Sequence, residues 1–269
     1  MDFFNIMIFV LNKSKDIMWK DEHSLRAAMW LCYQIDNSLD LGWNPHKIVL
    51  GTNFKFKYKN IESTILYKSE CDYSAVMSKT YGIIELIDRK IINDNVWIHD
   101  LDAWQQYKFD FPKINGVGLT PYPGSDPNKN WAVNSGSYFF NSSARDIIEE
   151  AIKIGDKIRC KNDEGSWNKI IRDKKFGDRV GWVDSTYNMG GAKCSMYEVC
   201  EKPIKVLHSR WVDVYHNPQK CPIGKNIVSD RLYDLLYNKL KYTVQKNNTD
   251  DLKRRLDKLG AEYEHIFKE

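Results

Sequence analysis

The sequence lacks a long hydrophobic run. A membrane-spanning helix needs about 20 apolar residues, whereas the apolar stretch near the start of the chain covers only about eight. An acidic residue precedes this stretch, and neither a basic segment nor a small-residue cleavage site accompanies it, which is unlike a signal peptide. We therefore predict a protein with no membrane span and expect it in the cytoplasm.

Cysteine pairs are also missing. None of the cysteines stands in a Cys-x-x-Cys motif, so neither a zinc ribbon nor a dense disulfide framework is indicated. We interpret all of them as reduced thiols: Cys32, Cys71, Cys160, Cys194, Cys200 and Cys221.

Glycine, proline and net charge are low. With 15 Gly and 8 Pro among 269 residues, the composition excludes a collagen-like or disordered chain. The 40 basic residues exceed the 36 acidic ones by only four, which is too small an excess for a dedicated nucleic-acid-binding protein.

Strand and helix patterns alternate over the first hundred residues. Short β-branched and aromatic runs predict buried strands over residues 6–11, 47–51 and 95–99. Apolar residues at spacings of three and four predict one helix from residue 21 to residue 39 and another over residues 73–89. This order indicates a doubly wound α/β sheet.

The alternation continues after one long segment that is predicted as a surface loop, residues 112–130. Ser143 and Asp146 resemble a capping box at the start of a helix over residues 145–154. Further strands are expected over residues 131–141 and 204–207, and further helices over residues 229–242 and 249–267. We assign residues 1–225 to one α/β domain and residues 226–269 to C-terminal helices packed on it.

Two aspartates, Asp100 and Asp102, follow the predicted strand at residues 95–99. In open α/β sheets, ligands bind outside the carboxyl ends of the strands. Carboxylate oxygens suit a hard divalent cation, Mg²⁺ or Mn²⁺, that also coordinates a diphosphate. The alternative is a loop pair that caps a helix, and the position after an apolar strand favours the metal site.

A second motif, Asn134-Ser135-Gly136, leads into an aromatic strand. Small residues let the backbone approach a ligand, and the Asn and Ser side chains can bond sugar hydroxyls. The alternative is a simple turn.

Acidic and basic groups follow later in the chain. Asp163 and Glu164 precede a helix that Ser166 would cap, and they suit either a base for an acceptor hydroxyl or stabilisation of the helix dipole. His208, at the end of a short strand, is a candidate metal ligand, and Arg210 beside it is a candidate phosphate ligand. A single histidine with no metal-binding motif around it is more often not a metal ligand.

In this order and spacing, the four motifs resemble the GT-A class of nucleotide-sugar-dependent glycosyltransferases. In that family a hydrophobic strand ends in Asp-x-Asp, a strand beginning Asn-Ser-Gly follows, and an acidic motif with an Asn one helical turn later comes next, here Asp163, Glu164 and Asn168. Gly165 stands at a position that is acidic in one subset of the family, and His208 matches only the histidine of that subset's C-terminal motif. The resemblance covers roughly residues 4–211.

The resemblance implies a GT-A, Rossmann-like fold with a mixed, mainly parallel sheet flanked by helices. It implies transfer of a sugar from a nucleoside diphosphate sugar, a UDP-sugar first, with Mn²⁺ or Mg²⁺ held by Asp100, Asp102 and His208. Asp163 or Glu164 would be the catalytic base if the reaction inverts configuration, and retention needs no base there. The nucleotide sugar is expected to contact Val10, Asn12, Asp100, Asn134, Ser135, Gly136, Asn168 and Arg210.

The acceptor is indicated by the basic window over residues 153–179, which has nine basic and five acidic residues. Trp167, Trp182 and Tyr187 lie close by in sequence and would stack on sugar rings or on unpaired bases. A saccharide acceptor is the first expectation, a hydroxylated base in DNA is the second, and a solvated helix face is the alternative to both.

Three other functional classes compete with glycosyl transfer. Sugar nucleotidyltransferases usually have a Gly-rich loop after the first strand, and Asn12-Lys13-Ser14-Lys15 has no glycine. Phosphatases of the haloacid dehalogenase type carry Asp-x-Asp near the N-terminus with Thr or Val two residues later, where Trp104 stands here. A non-catalytic sugar-binding module remains the third alternative.

Overall fold

A computed structural model describes residues 1–11, 22–126, 132–190, 195–208, 229–236 and 249–259. Its strands are β1 Phe4–Phe9, β2 Ile48–Thr52, β3 Lys57–Tyr58, β4 Ile61–Glu62, β5 Thr64–Ile65, β6 Asn95–His99, β7 Ala103–Gln105, β8 Val117–Pro121, β9 Val133–Asn141, β10 Val180–Trp182, β11 Met189–Gly190 and β12 Val206–His208. Its helices are α1 Glu22–Asp40, α2 Met77–Asp88, α3 Arg145–Ile158, α4 Glu164–Asp173, α5 Ser195–Val199, α6 Asp230–Asp234 and α7 Thr249–Leu259.

Seven strands form the main sheet, in the order β10-β8-β9-β6-β1-β2-β5. The pairs β1/β2, β1/β6, β2/β5 and β8/β10 are parallel, whereas β9 is antiparallel to both of its neighbours, β6 and β8. The sheet is therefore mixed and mainly parallel, with β9 as the reversed strand. The carboxyl end of β6 and the amino end of β9 lie at the same edge of the sheet.

Helices cover both faces of this sheet because its strands present apolar side chains to each face. On β6, Trp97 packs in the core that contains α1, α6 and α7, whereas Val96 and Ile98 pack in the core that contains α2, α3 and α4. Phe139 of β9 lies on the same side as Trp97. This period of two is what strands buried on both faces require. In the described part of the chain, no helix combines the length and apolar character that a membrane crossing needs.

A second, three-stranded sheet, in the order β11-β12-β7, brings distant residues next to β6. β7 begins after Asp102, and β12 pairs with it antiparallel, so that His208 lies opposite Ala103. β11 pairs parallel with β12 and puts Gly190 opposite His208. The turn between β6 and β7 therefore faces the end of β12.

One strand lies where the sequence predicts a loop. β8 falls inside the predicted loop over residues 112–130, and it is buried for most of its length between β9 and β10. Pairing on both edges offsets the low strand propensity of its Gly and Pro. Residues 127–130 of the predicted loop lie outside the described residues.

The two predicted helix caps are wrong. Ser143 donates its hydroxyl hydrogen bond to a neighbouring Asn side chain and Asp146 pairs with Arg179, so no capping box forms; α3 continues instead from a 3-10 turn over Ser142–Ala144. Ser166 lies inside the first turn of α4 and is fully buried. The other strands and helices for which the sequence predicts bounds begin and end within about four residues of those bounds, although the two C-terminal helices are described only in part. The described cysteines are free and buried: Cys32, Cys71, Cys160 and Cys200.

Candidate active site

Asp100 and Asp102 lie in the turn that connects β6 to β7. The backbone N–H of Asp100 donates to the carbonyl of Gly136 at the start of β9, at 2.8 Å, and the Asp100 carbonyl accepts from the N–H of Ala103 at 3.0 Å. These bonds fix the turn to both sheets. Both carboxylates are half-buried, so they remain accessible at the edge of the main sheet.

His208, the last residue of β12, lies beside the two aspartates although it is more than 100 residues away in the sequence. Its Nε2 lies 3.3 Å from Asp102 Oδ1 and 4.0 Å from Asp100 Oδ2. One ligand atom from each of the three residues lies within 4.8 Å of the other two. The structure therefore brings together the three residues that the sequence predicts as metal ligands.

Asn188 orients the His208 ring. The Nδ2 of Asn188 donates to Thr120 Oγ1 at 2.7 Å and to the Asn134 carbonyl at 2.8 Å, which identifies its Oδ1 as the acceptor. That Oδ1 lies 3.0 Å from His208 Nδ1, so Nδ1 carries a proton and donates. Nε2 is then the ring nitrogen that can bind a metal, and a bond of this kind on the other nitrogen is typical of metal-ligating histidines.

Two glycines make room for the same ring. A Cβ on Gly136 would lie 1.9 Å from His208 Cε1, and a Cβ on Gly190 would lie 2.8 Å from the His208 carbonyl oxygen. Both distances are far below van der Waals contact. The sequence predicts Gly136 as a place of close approach to a ligand, and the structure puts the imidazole of His208 against it.

The donor set of Asp100, Asp102 and His208 fits a divalent cation such as Mn²⁺ or Mg²⁺. Two carboxylates supply hard oxygen ligands and the imidazole supplies one nitrogen, a combination that suits Mn²⁺ well. Burial lowers the pKa of His208, but the Asp102 and Asp100 carboxylates outweigh it, so the net pKa is raised. The site therefore attracts positive charge, whether a proton or a metal ion.

Lys79 of α2 is the buried cation of the site, and the sequence analysis missed it. Its Nζ donates to Asp100 Oδ1 at 2.7 Å and to the Ser135 carbonyl at 2.8 Å, and it lies 3.4 Å from Asp163 Oδ2. Burial lowers the pKa of Lys79, and the carboxylates of Asp100 and Asp163 reverse this, so its pKa is raised and the ammonium stays charged. The same ammonium holds the pKa of Asp100 below its usual range, against the effect of burial.

Asp163 lies on the other side of Lys79 and is fully buried. Its Oδ1 accepts a hydrogen bond of 2.5 Å from the hydroxyl of Ser135. Burial raises the pKa of Asp163 more than Lys79 lowers it. Ser135 and Lys79 thus tie the start of α4 to the turn that carries Asp100.

Glu164, the next residue, is half-buried and more accessible than Asp163. Its Oε1 accepts from the hydroxyl of Tyr122 at 2.7 Å and its Oε2 accepts from Asn162 Nδ2 at 3.3 Å. Burial raises the pKa of Glu164, and the bond from Tyr122 only partly opposes this. A raised pKa brings a carboxylate closer to the range in which it can accept a proton from a hydroxyl.

The remaining predicted site residues differ in position. Asn134 and Ser135 are buried, and their side chains bond protein groups: Asn134 Oδ1 accepts from the Gly136 N–H at 3.2 Å. Asn168 links α4 to β9, since its Oδ1 accepts from the Val133 N–H at 3.2 Å. Val10 is half-buried just beyond β1. Asn12 and Arg210 lie outside the described residues.

The predicted stacking surface of aromatic residues is wrong for two of its three members. Trp167 is fully buried in the core beside α3, and Tyr187 is 8% exposed and packs edge-on to Phe139. Trp182 is half-buried. Trp167 and Tyr187 therefore do not offer a free face for stacking on a sugar or a base.

One sequence signal was available for Lys79. It stands four and seven positions before Ile83 and Leu86, which are buried on the inner face of α2. A lysine at this spacing lies on the apolar stripe of a helix, where an unpaired charge is costly. The position predicts a buried partner of opposite charge. Asn188 and Tyr122 had no comparable signal.

No protein-family profile and no curated protein sequence matches the chain. Among solved structures, the chain is similar to galactosyltransferase LgtC in complex with donor and acceptor sugar analogues, at 12% identity and a TM-score of 0.51, covering 92% of this chain and 98% of that one. It is also similar to mouse xyloside xylosyltransferase 1, at 13% identity and a TM-score of 0.45, covering 78% of this chain and 98% of that one. The sheet order and the likeness to LgtC along nearly the whole chain confirm the predicted fold class: this chain has the GT-A fold of glycosyltransferases.

Proposed function

We propose that the protein is a metal-dependent glycosyltransferase that moves a sugar from a nucleoside diphosphate sugar, most simply a UDP-sugar, to a hydroxyl of a saccharide. The observation that carries this proposal is the convergence of Asp100, Asp102 and His208 at the carboxyl end of β6 in a GT-A fold. The LgtC structure in complex with donor and acceptor sugar analogues supports the same class of substrate.

Asp100, Asp102 and His208 are the residues that would hold Mn²⁺ or Mg²⁺. When bound there, the cation supplies Lewis-acid stabilisation of the negative charge that develops on the departing nucleoside diphosphate. Asn188 keeps Nε2 of His208 directed at the carboxylates, as its 3.0 Å contact with Nδ1 requires. Preorganised ligands of this kind avoid the cost of reorienting side chains during the reaction.

Lys79 and Asp163 hold Asp100 in position beside His208. Lys79 bonds one oxygen of Asp100 and leaves the other free toward His208. Asp163 is fully buried, and its contacts with Ser135 and Lys79 suit a positioning residue. We assign to both the task of holding Asp100 in place while the charge of the bound substrate changes.

Glu164 is the carboxylate that we assign to the acceptor. It is more accessible than Asp163, and its raised pKa suits proton transfer. In an inverting reaction the acceptor oxygen attacks the anomeric carbon, the bond from that carbon to the diphosphate oxygen breaks, and Glu164 accepts the hydroxyl proton. Val10, Asn12 and Arg210 stay predicted contacts of the nucleotide.

The test is release of nucleoside diphosphate from a panel of nucleotide sugars with Mn²⁺, with Mg²⁺ and with a chelator. We expect turnover of one donor that the chelator abolishes, and a loss of at least about a hundredfold in Asp102→Asn, because a metal ligand is removed. Glu62→Gln is the matched control, since it removes the same charge from an exposed position on β4.

Two outcomes would contradict the proposal. Turnover that survives the chelator and Asp102→Asn would exclude a catalytic role for the metal centre. Binding of a saccharide without release from any donor would identify a sugar-binding module instead.

A further inference from the structure

A cavity of about 630 Å³ lies beside the candidate active site, between the end of α3 and one face of α4. Four cations and two amides line it: Arg159, Lys161, Lys169, Arg172, Asn162 and Asn168. No carboxylate side chain is among its lining residues in the described part of the chain. We call this cavity the cationic groove.

The groove follows from the sequence of α4 and the segment before it. Positions 165, 168, 169 and 172 recur at spacings of three and four, so they share one face of the helix, and residue 161 lies in the segment before it. The opposite face carries Ser166, Trp167 and Ile170, which are buried in the core. Four of the nine basic residues in the window over residues 153–179 therefore line this groove.

The carboxylates that pair with the cations of the groove lie outside its lining. Lys169 pairs with Asp173 at 2.7 Å, Arg172 lies 4.0 Å from the same carboxylate, and Arg159 lies 3.5 Å from Asp72. Neither of these two carboxylates is among the residues that line the groove, whereas all four cations are. Clefts lined by charge of one sign concentrate the field and attract ligands of the opposite sign.

Glu164 connects the groove to the candidate active site. Asn162, which lines the groove, donates to Glu164 Oε2 at 3.3 Å, and the other carboxylate oxygen bonds Tyr122. Asn168, also in the lining, donates to the Glu164 backbone carbonyl at 2.8 Å. A ligand in the groove would therefore lie next to the residue that we assign to the acceptor hydroxyl.

We propose that the cationic groove is the acceptor subsite for a saccharide that carries an anionic group, namely a phosphate, a sulfate or a carboxylate. This inference rests on the proposed glycosyl transfer. The cavity volume falls within the range of about 300–1,000 Å³ that holds small ligands. Guanidinium and ammonium donors bind such oxyanions by charge-assisted hydrogen bonds.

The groove fits a saccharide better than a nucleic acid. Single-stranded nucleic acids bind along an extended basic track with aromatic faces for the bases. Of the three aromatic residues near the basic window, Trp167 and Tyr187 are buried and present no such face, and Trp182 is not among the residues that line the groove. The four lining cations converge on one cavity rather than along an extended track.

The experiment compares matched neutral and anionic sugars by calorimetric titration in the absence of donor. The probes are galactose, galactose 6-phosphate and galacturonic acid, with inorganic phosphate and a single-stranded oligodeoxynucleotide as further arms. The variant is Arg159→Gln with Lys161→Gln, two exposed side chains. The control is Lys57→Gln with Lys258→Gln, which removes two exposed charges elsewhere.

We expect the native protein to bind at least one anionic sugar about tenfold more tightly than galactose, as one charge-assisted contact allows. The groove variant should lose this preference and the control should keep it. Equal affinity for neutral and anionic sugars, a preference that survives in the groove variant, or binding of the oligonucleotide alone would overturn the proposal. Inorganic phosphate bound as tightly as the sugar phosphate, with no sugar contribution, would also overturn an acceptor subsite.

Release of nucleoside diphosphate separates the two proposals. The groove variant should still hydrolyse its donor at the native rate, because neither residue contacts the metal centre. If the native protein releases no nucleoside diphosphate from any donor, the proposed function fails. If release is normal and the preference for anionic sugars is missing, only the groove assignment fails.

Discussion

Lys79 connects two of the acidic residues of the site, Asp100 and Asp163. A buried ammonium is costly unless its partners are close, and here the partners come from three different segments: the β6 turn, the start of β9 and the start of α4. The charge of Lys79 offsets part of the repulsion between Asp100 and Asp163. Lys79 therefore allows the carboxylates of Asp100 and Asp163 to lie close together.

Tyr122 lowers the pKa of the Glu164 carboxyl group, against the larger effect of burial. Its hydroxyl donates to the charged form of the carboxylate and so lowers a pKa that burial raises. In Tyr122→Phe the pKa of Glu164 rises further. A base works only when deprotonated, so activity is then lost at a higher pH as the solution is acidified. We expect the acidic limb of the kcat/KM profile to move to higher pH.

The measurement is the pH dependence of kcat/KM for native protein, Tyr122→Phe and Tyr107→Phe. Tyr107 is exposed and serves as the control for loss of a phenol hydroxyl. An acidic limb that stays in place, or that moves to lower pH, would show that Glu164 is not the titrating base.

At the scale of elements, the site depends on how β9 and β12 approach each other. Gly136 of β9 leaves space for the imidazole of His208 at the end of β12. In Gly136→Ala the new methyl group would displace His208 from Asp102, because the nearest ring atoms lie within 2.7 Å of the added Cβ. We expect Mn²⁺ affinity to fall about 10- to 100-fold, as when metal ligands lose their orientation.

Gly181→Ala is the control for this substitution. Gly181 is also in a strand, and a Cβ there meets no atom within 4 Å. Calorimetric titration with Mn²⁺ gives the affinities, and thermal unfolding checks that both variants fold. Equal Mn²⁺ affinity in native protein and Gly136→Ala would show that His208 is not a metal ligand.

The sequence predicts single strands and helices better than it predicts which side chains of different elements contact each other. The strand before Asp100 is evident because its apolar residues are consecutive, and the aspartates follow it directly. β8 was missed because its Gly and Pro resemble a loop, and its stability comes from neighbours that are distant in sequence. Lys79, Tyr122 and Asn188 were missed for the same reason: their partners are brought to them only by the complete sheet.

At the scale of the whole molecule, the C-terminal helices share a core with the N-terminal half. Leu252 and Leu256 of α7 are 1% and 0% exposed, and they belong to the cluster that contains Leu25 and Ile35 of α1. That residues 226–269 pack on the main domain stays a prediction, and the buried leucines of α7 make it testable. Removal of one buried leucine should therefore affect the unfolding of the main domain.

Leu256→Ala tests this arrangement. We expect the free energy of unfolding to fall by about 2–5 kcal/mol, because a buried side chain is replaced by a cavity. Lys258→Ala, at an exposed position of the same helix, should change it by less than about 0.5 kcal/mol. Urea unfolding followed by tryptophan fluorescence is the measurement. A separate early transition in Leu256→Ala, with the main transition unchanged, would make the helices a separate unit.

His208 is synthesised long after Asp100 and Asp102, and this order has a consequence for biosynthesis. Both aspartates leave the ribosome more than 100 residues before the histidine does, and chains generally fold from the N-terminus as they emerge. A nascent chain that stops short of β12 therefore already contains Asp100, Asp102 and Asn188 but not the imidazole that Asn188 orients. Under the proposed function, tight capture of a divalent ion begins only when His208 has been synthesised, so metal affinity reports completed synthesis of this region.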